Sequence, residues 1–304
     1  MYIDKNKLSP IVIFAYKRVD LLEKTVLALK NCDLALYSDL IVYSDGPKNQ
    51  IDIEQVDNVR EFISNIKGFK KVTWKFSTKN KGLAKSIISG VTEILSYSDS
   101  VIVLEDDLIT SPNFLHYMNQ ALIEYKNVSN VMSISAYTPP IKKNTLSSFD
   151  NYFTQRASSW GWATWKNQWE NIDWEVSDYK KFNSNIKEKR KFNKMGSDLS
   201  LMLKHQMDGK INSWAIRWCY HQFKNNLYSV FPFISKVSNI GFNDSDATHT
   251  TSVGNRYNTH IDSSKKNRFN FNLQPKLNKD YIKQFTTPYS IKARIINKVT
   301  RIFR

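Results

Sequence analysis

The chain has 304 residues, 41% hydrophobic and 13% aromatic, enough for one large domain with a real core. Its 44 basic and 28 acidic side chains leave a formal charge of +16, which points to polyanionic company or to a solubilising surface in a Lys- and Asn-rich proteome. Only Cys32 and Cys219 occur, excluding a disulfide framework or a cysteine-rich zinc site; without a signal-like start or a bilayer-length apolar window, the expected setting is cytoplasmic.

The first half alternates short β-rich runs with helical periodicity, which predicts a βαβ series. The runs are Ile11 to Phe14, Leu40 to Tyr43, Val72 to Phe76, Val101 to Leu104 and Val131 to Ile134. Asp20 resembles a helix cap, and Leu22, Val26 and Leu29 share a face behind it. Val56, Val59, Ile63 and Ile66 form a second stripe, and Leu83, Ile87, Val91, Ile94 and Leu95 a third. Ser111-Pro112 opens a fourth helix with Phe114, Met118, Leu122 and Tyr125 facing inward. Lys180 to Lys194 is basic and polar and reads as an exposed connection.

In an open parallel sheet the ligand crevice lies beyond the carboxyl ends of the strands. The residues there are Ala15-Tyr16-Lys17-Arg18, Ser44-Asp45-Gly46-Pro47, Asn80-Lys81-Gly82-Leu83-Ala84 and Glu105-Asp106-Asp107. Three consecutive acids ending a buried strand repel one another, which a divalent cation relieves while still gripping a phosphate; a solvated strand end is the plainer alternative. Asp45 also fits a turn-forming Asp-Gly, Tyr16 a half-buried core ring, and Arg18 and Lys81 solvated surface charges. No Gly-x-Gly-x-x-Gly and no Gly-rich loop ending in Lys-Ser/Thr is present, so phosphates would be met by metal and side chains.

The ordered set of strand ends resembles a GT-A glycosyltransferase: α/β, with a Rossmann-like, mostly parallel central sheet flanked by helices and a mixed second half. The Glu-Asp-Asp form is similar to the animal N-acetylglucosaminyltransferase I family, and the layout resembles bacterial family 2 glycosyltransferases that build surface polysaccharides. The likeness covers roughly residues 10 to 250. The chain reads as one domain over 1–285, which the likeness divides into a nucleotide-sugar half to about 135 and an acceptor half beyond, followed by a basic amphipathic tail at 286–304. The likeness further implies a nucleotide-sugar donor, UDP-sugar favoured, an Mn²⁺ or Mg²⁺ cofactor, and hexosyl or N-acetylhexosaminyl transfer with inversion to a glycan or lipid-linked glycan. Nucleic acid is not an expected partner. Asp45 would meet the base, Ala15, Tyr16 and Arg18 would line the base and diphosphate pocket with Lys81, and Asp107 would ligate the metal. Glu105 and Asp106 would serve the ribose, the metal's water shell or the orientation of Asp107. A nucleotidyltransferase or metal-dependent nuclease built on the same acids, and a non-catalytic polyanion-binding module, are the competing readings.

In the second half, Ser158-Ser159-Trp160-Gly161-Trp162-Ala163-Thr164-Trp165 offers indole faces suited to sugar rings, with Trp160 and Trp162 ahead of Trp169 and Trp174; a core aromatic cluster is the alternative. Gly196 to Gly209 reads as a capped helix entering a strand. It resembles the family 2 segment in which Glu-Asp begins a helix, so Asp198 is the expected general base although Ser197 replaces the Glu; Asp208 and Asp173 follow as candidates. His249, in the polar stretch from Asn243 to Asn272, matches the late histidine that supplies a second metal ligand in many GT-A enzymes. From Pro288 onward, Ile291, Ile295, Val299, Ile302 and Phe303 fall on one helical face among Lys and Arg, a pattern for an anionic membrane surface, a docked helix or a frayed tail.

Overall fold

The computed structural model describes residues 3–241, 257 and 259–302, with side chains to 296. In chain order the elements begin β1 (Ile11–Ala15), α1 (Val19–Lys30), β2 (Asp39–Ser44), α2 (Ile53–Ser64), β3 (Lys71–Phe76), α3 (Leu83–Leu95) and β4 (Ser100–Glu105). There follow β5 (Leu108–Thr110), α4 (Phe114–Tyr125), β6 (Val131–Ser135), β7 (Asn151–Thr154), β8 (Trp162–Trp165) and the short α5 (Lys166–Trp169). The remainder is α6 (Tyr179–Ser184), α7 (Ile186–Phe192), α8 (Leu199–Met207), α9 (Trp214–Lys224), β9 (Tyr228–Pro232), β10 (Val237–Asn239), α10 (Lys279–Thr286) and α11 (Ile291–Ile302).

Eight strands form one sheet in the order β3-β2-β1-β4-β8-β6-β9-β7, and β10 pairs with β5 in a small second one. The four strands on the β3 side are parallel, with Phe14 opposite Glu105, Ala15 opposite Ser44 and Ser44 opposite Phe76. That register brings the chain out of all four strands along one rim. Strand β8 runs antiparallel to both β4 and β6, with Val103 and Ser135 opposite Trp162, so the segment before β8 reaches the same rim.

Side-chain alternation divides the core into two layers. Ile11, Ile13, Ile102 and Leu104 pack with Leu22, Val26, Val59, Ile63, Phe114 and Met118 from α1, α2 and α4. Val12, Phe14, Val101 and Val103 point the other way, onto Ile87, Val91 and Ile94 of α3 and Trp214 and Trp218 of α9. Strands β1 and β6 are fully buried because helices cover both faces, whereas β3 exposes Lys71, Trp74 and Phe76 at the sheet edge.

Several local expectations need correction. Helix α1 starts at Val19, so Asp20 lies in its first turn and no side chain caps it. The basic stretch from 180 to 194 is not an exposed connection: it carries α6 and α7, whose Phe182 and Phe192 build a satellite core with Leu199, Leu203 and Tyr220. No strand follows Gly209; after an irregular turn, Ser213 caps α9 by accepting from the Ile216 amide.

Candidate active site

An open cleft of about 1260 Å³ lies over the strand ends. Ala15, Tyr16, Arg18, Asp45, Lys81, Glu105, Asp106 and Asp107 line it together with Trp160 and Asp198, residues up to 183 positions apart in sequence.

Arg18 is the cation at the acid cluster. Its Nη2 donates to Asp106 Oδ1 and, over 2.9 Å, to Asp107 Oδ2. Asp107 Oδ1 accepts from Asn239 Nδ2 at 3.1 Å, and the Asp107 carbonyl accepts from the Ile240 amide at 2.9 Å. The small β5–β10 sheet thus pins the acids from behind. Gly241 completes this wall: a Cβ there would stand 2.2 Å from Asp107 Oδ2. Burial raises the Glu105 carboxyl above its ordinary value, and the neighbouring Asp107 and Asp106 raise it further. Burial also raises Asp106, an effect that Arg18 opposes and Asp107 adds to. Arg18 itself is held charged, because the two aspartates outweigh its own desolvation.

The second-strand end is a different construction. Asp45 accepts from the Gly46 amide at 2.9 Å, the Lys81 amide at 2.9 Å and the Gly82 amide at 2.8 Å, closing the turn that starts α3. Tyr16 donates its hydroxyl to Asp52 Oδ2 at 2.8 Å and accepts the Lys48 amide at 2.9 Å, while Lys17 Nζ reaches Asp52 Oδ1 at 3.1 Å. Asp52 carries no motif in the sequence; its local mark is the Asn49 carboxamide, which accepts from its amide.

Across the cleft, Asp198 is the N-cap residue of α8 but makes no capping hydrogen bond. Its carboxylate is held by Arg156 instead, with Nη1–Oδ1 at 2.8 Å and Nη2–Oδ2 at 2.9 Å. Burial alone would raise Asp198, but the Arg156 charge and hydrogen bonds prevail and keep it below the usual aspartate range. Arg156 stacks 3.7 Å over the Tyr289 ring. Gly196, at φ +149°, leaves room for this pair, since a Cβ would stand 2.1 Å from Arg156 Nη1. Ser197, in the place of the expected Glu, donates its hydroxyl to the Tyr289 carbonyl at 2.7 Å. Arg156 had no readable signal, because its partner lies 42 positions away. The fallback acids are elsewhere: Asp208 pairs with Lys204 at 2.6 Å, and Asp173 accepts the Glu175 and Ser177 amides.

The aromatic segment divides. Trp160 lines the cleft, edge-on to Tyr137 at 4.6 Å and to Tyr257 at 5.8 Å. Trp162, expected beside it as a sugar platform, is 1% exposed and packed among Trp169, Trp214 and Trp218, because alternation along β8 turns it into the α3–α9 layer. Gly161, expected at the same platform, is taken up in the chain itself, its carbonyl accepting from the Ala136 amide at 2.7 Å. Trp169 is likewise buried, its Nε1 donating to Thr92. His249 lies outside the described residues.

The profile of glycosyl transferase family 2 matches residues 11–195. The chain belongs to that family. Its α/β architecture, with the large central sheet flanked by helices, is accordingly GT-A. Similar solved structures include the mannosyltransferase PcManGT from Pyrobaculum calidifontis in complex with GDP-Man and Mn²⁺, at 11% identity and a TM-score of 0.40, over 56% of this chain and 48% of that one. S. aureus TarS is similar at 11% identity and a TM-score of 0.37, over 55% of this chain and 30% of that one. The chain thus spans under half the length of either. No curated protein sequence matches significantly.

Among the described residues no group of three or more His, Cys, Asp or Glu is arranged to hold a metal. The oxygens of Asp106 and Asp107 nevertheless surround one positive group, the Arg18 guanidinium, at the cleft. Two hard carboxylates gathered on one cation are of the donor type that suits Mg²⁺ or Mn²⁺.

Proposed function

We propose that this protein moves a sugar from a nucleotide-sugar donor, a UDP-sugar in the favoured form, to a hydroxyl of a glycan or lipid-linked glycan during assembly of a bacterial surface polysaccharide. One observation carries the reading. A single cleft has clustered acids and an arginine on one wall and an ionised, buried aspartate on the other, in a chain of glycosyl transferase family 2.

The donor diphosphate belongs at the acid wall, where Arg18 turns from the aspartates to the phosphate oxygens. Asp107 would hold the divalent cation, with His249 as a second ligand, and the cation would offset charge on the diphosphate when bound. Tyr16, positioned by Asp52, offers a ring face to the base, and Lys17 adds positive charge nearby. Asp45, whose carboxylate also keeps the 80–82 turn in place, meets the base. Trp160 provides the aromatic face for a sugar.

The acceptor hydroxyl oxygen bonds to the anomeric carbon as that carbon's bond to the diphosphate oxygen breaks, with inversion. The hydroxyl proton goes to Asp198, and the nucleoside diphosphate leaves. A carboxylate has about four lone-pair sites, so two bonds from Arg156 leave Asp198 able to accept the hydroxyl. The hexosyl or N-acetylhexosaminyl choice lies with the cleft wall facing the donor. A thermal-shift screen of nucleoside diphosphates and nucleotide sugars, with and without Mn²⁺, tests the reading: stabilisation by one nucleotide series supports it, and no response to any of them argues against it.

A further inference from the structure

Helix α11 is attached by the face that an ordinary docked helix turns to water. Its Arg294 donates Nη1 to the Ser197 carbonyl at 3.0 Å, and its N-cap Ser290 receives the Ala293 amide at 3.2 Å. Ala293 and Arg294 are the half-buried positions, while Ile291 and Ile295 are 64% and 57% exposed. At 100° per residue, Ile291 and Ile295 fall within one arc, and Ala293 lies opposite. A helix stabilised only by its own domain would bury the isoleucines. From residue 281 to 304 the sequence includes six Lys or Arg and no Asp or Glu, so the exposed Ile291 and Ile295 are flanked by positive charge alone. Among the described residues no helix is long and apolar enough to cross a membrane, which leaves a surface-lying mode for this one.

We propose that α11 is an interfacial anchor for an anionic lipid surface, with Ile291 and Ile295 entering the acyl boundary and the flanking bases meeting lipid phosphates. The helix begins two residues after Tyr289, which lines the cleft and stacks on the Arg156 that holds Asp198. The anchored surface therefore adjoins the acceptor side of the cleft, an orientation that rests on the transferase reading and suits a lipid-linked acceptor.

The test is co-sedimentation of the full chain, without nucleotide or metal, with phosphatidylglycerol–phosphatidylcholine vesicles and with phosphatidylcholine vesicles. Binding to the anionic vesicles alone is expected, weakening as salt is raised, and falling about tenfold or more in Ile291→Ser/Ile295→Ser with the melting temperature unchanged. Absence of binding, equal binding to both vesicles, or binding that survives the double substitution overturns the proposal. So does a lower melting temperature in the variant, which would mean that the stripe packs on its own chain, or a dimer in light scattering that the variant dissolves. Because the assay contains no donor, a failed transfer reaction leaves it standing, and its failure leaves the transferase reading intact.

Discussion

Two arginine–carboxylate centres face each other across the cleft, and they are balanced differently. At the strand ends one guanidinium serves both Asp106 and Asp107, with Glu105 beside them. On the far wall Arg156 and Asp198 meet one to one in a bidentate pair, stacked on Tyr289. The first centre keeps an excess of negative charge in a desolvated place and so attracts a further cation; the second is neutral as a whole and attracts none. Two acids sharing one arginine leave the first centre short of positive charge, whereas the closed pair holds both Asp198 oxygens in a set position.

The largest expected difference is between removing one acid from each centre. Asp107→Ala and chelation by EDTA should each abolish transfer and sharply weaken donor binding, read by a transfer assay and a donor titration. Full activity in EDTA would show that Arg18 alone supplies the positive charge there. Asp198→Asn should lower turnover by about 10²–10⁴-fold while leaving donor affinity nearly unchanged. Because the change leaves Arg156 without its anionic partner, melting temperatures must accompany the rates; near-normal turnover in a folded variant removes Asp198 from the chemistry.

A third buried pair, outside the cleft lining, calibrates the comparison. Asp262 accepts from Lys236 Nζ, from Asn113 Nδ2 at 3.0 Å and, through its other oxygen, from the Ser264 amide at 2.8 Å, tying the extended 259–272 segment to the body. Burial alone would raise Asp262, but these bonds outweigh it and hold the carboxyl at about 2. A depressed value means that the stabilisation is complete above the unfolded value of roughly 4 and is lost as pH falls through the folded one. Stability should therefore drop by about 2 kcal/mol between roughly pH 4 and pH 2 on account of this group. Denaturant melts of the wild type and Asp262→Asn should converge over that interval; a constant gap between them would deny the clasp its charge.

The smallest expected effect is the most specific. Arg18→Gln takes the competing cation from between Asp106 and Asp107, so Mn²⁺ affinity without donor should rise about tenfold, close to 1.4 kcal/mol, in a calorimetric titration. Arg156→Gln should produce no such gain, since only one carboxylate remains there. Equal metal affinity in all three proteins would erase the distinction between the two centres.

Much of the strand-end wall of the cleft is legible in the sequence because its residues follow strands whose burial is written in runs such as Ile11–Ala15, and the parallel register brings those ends together. The helical stripes followed from period alone, as Leu22, Val26 and Leu29 show. Local polarity conceals the core at 180–194: the stretch hides Phe182 and Phe192 among its lysines, and their burial depends on α8 and α9 arriving to meet them.

By itself, the sequence determined the alternating architecture, the acid triplet at the end of a buried strand and the excess of positive charge, since composition and periodicity are local properties. Only the tertiary structure decided which groups neutralise one another: Arg18 with Asp106 and Asp107, Arg156 with Asp198, Asp52 with Tyr16 and Lys17. It also separated Trp160 in the cleft from Trp162 in the core, and left Ile291 and Ile295 of α11 exposed. The physical reason is common to all of these. Whether a charge is paired or a ring buried depends on neighbours tens of residues away, brought close by a sheet whose strand order is not the order of the chain.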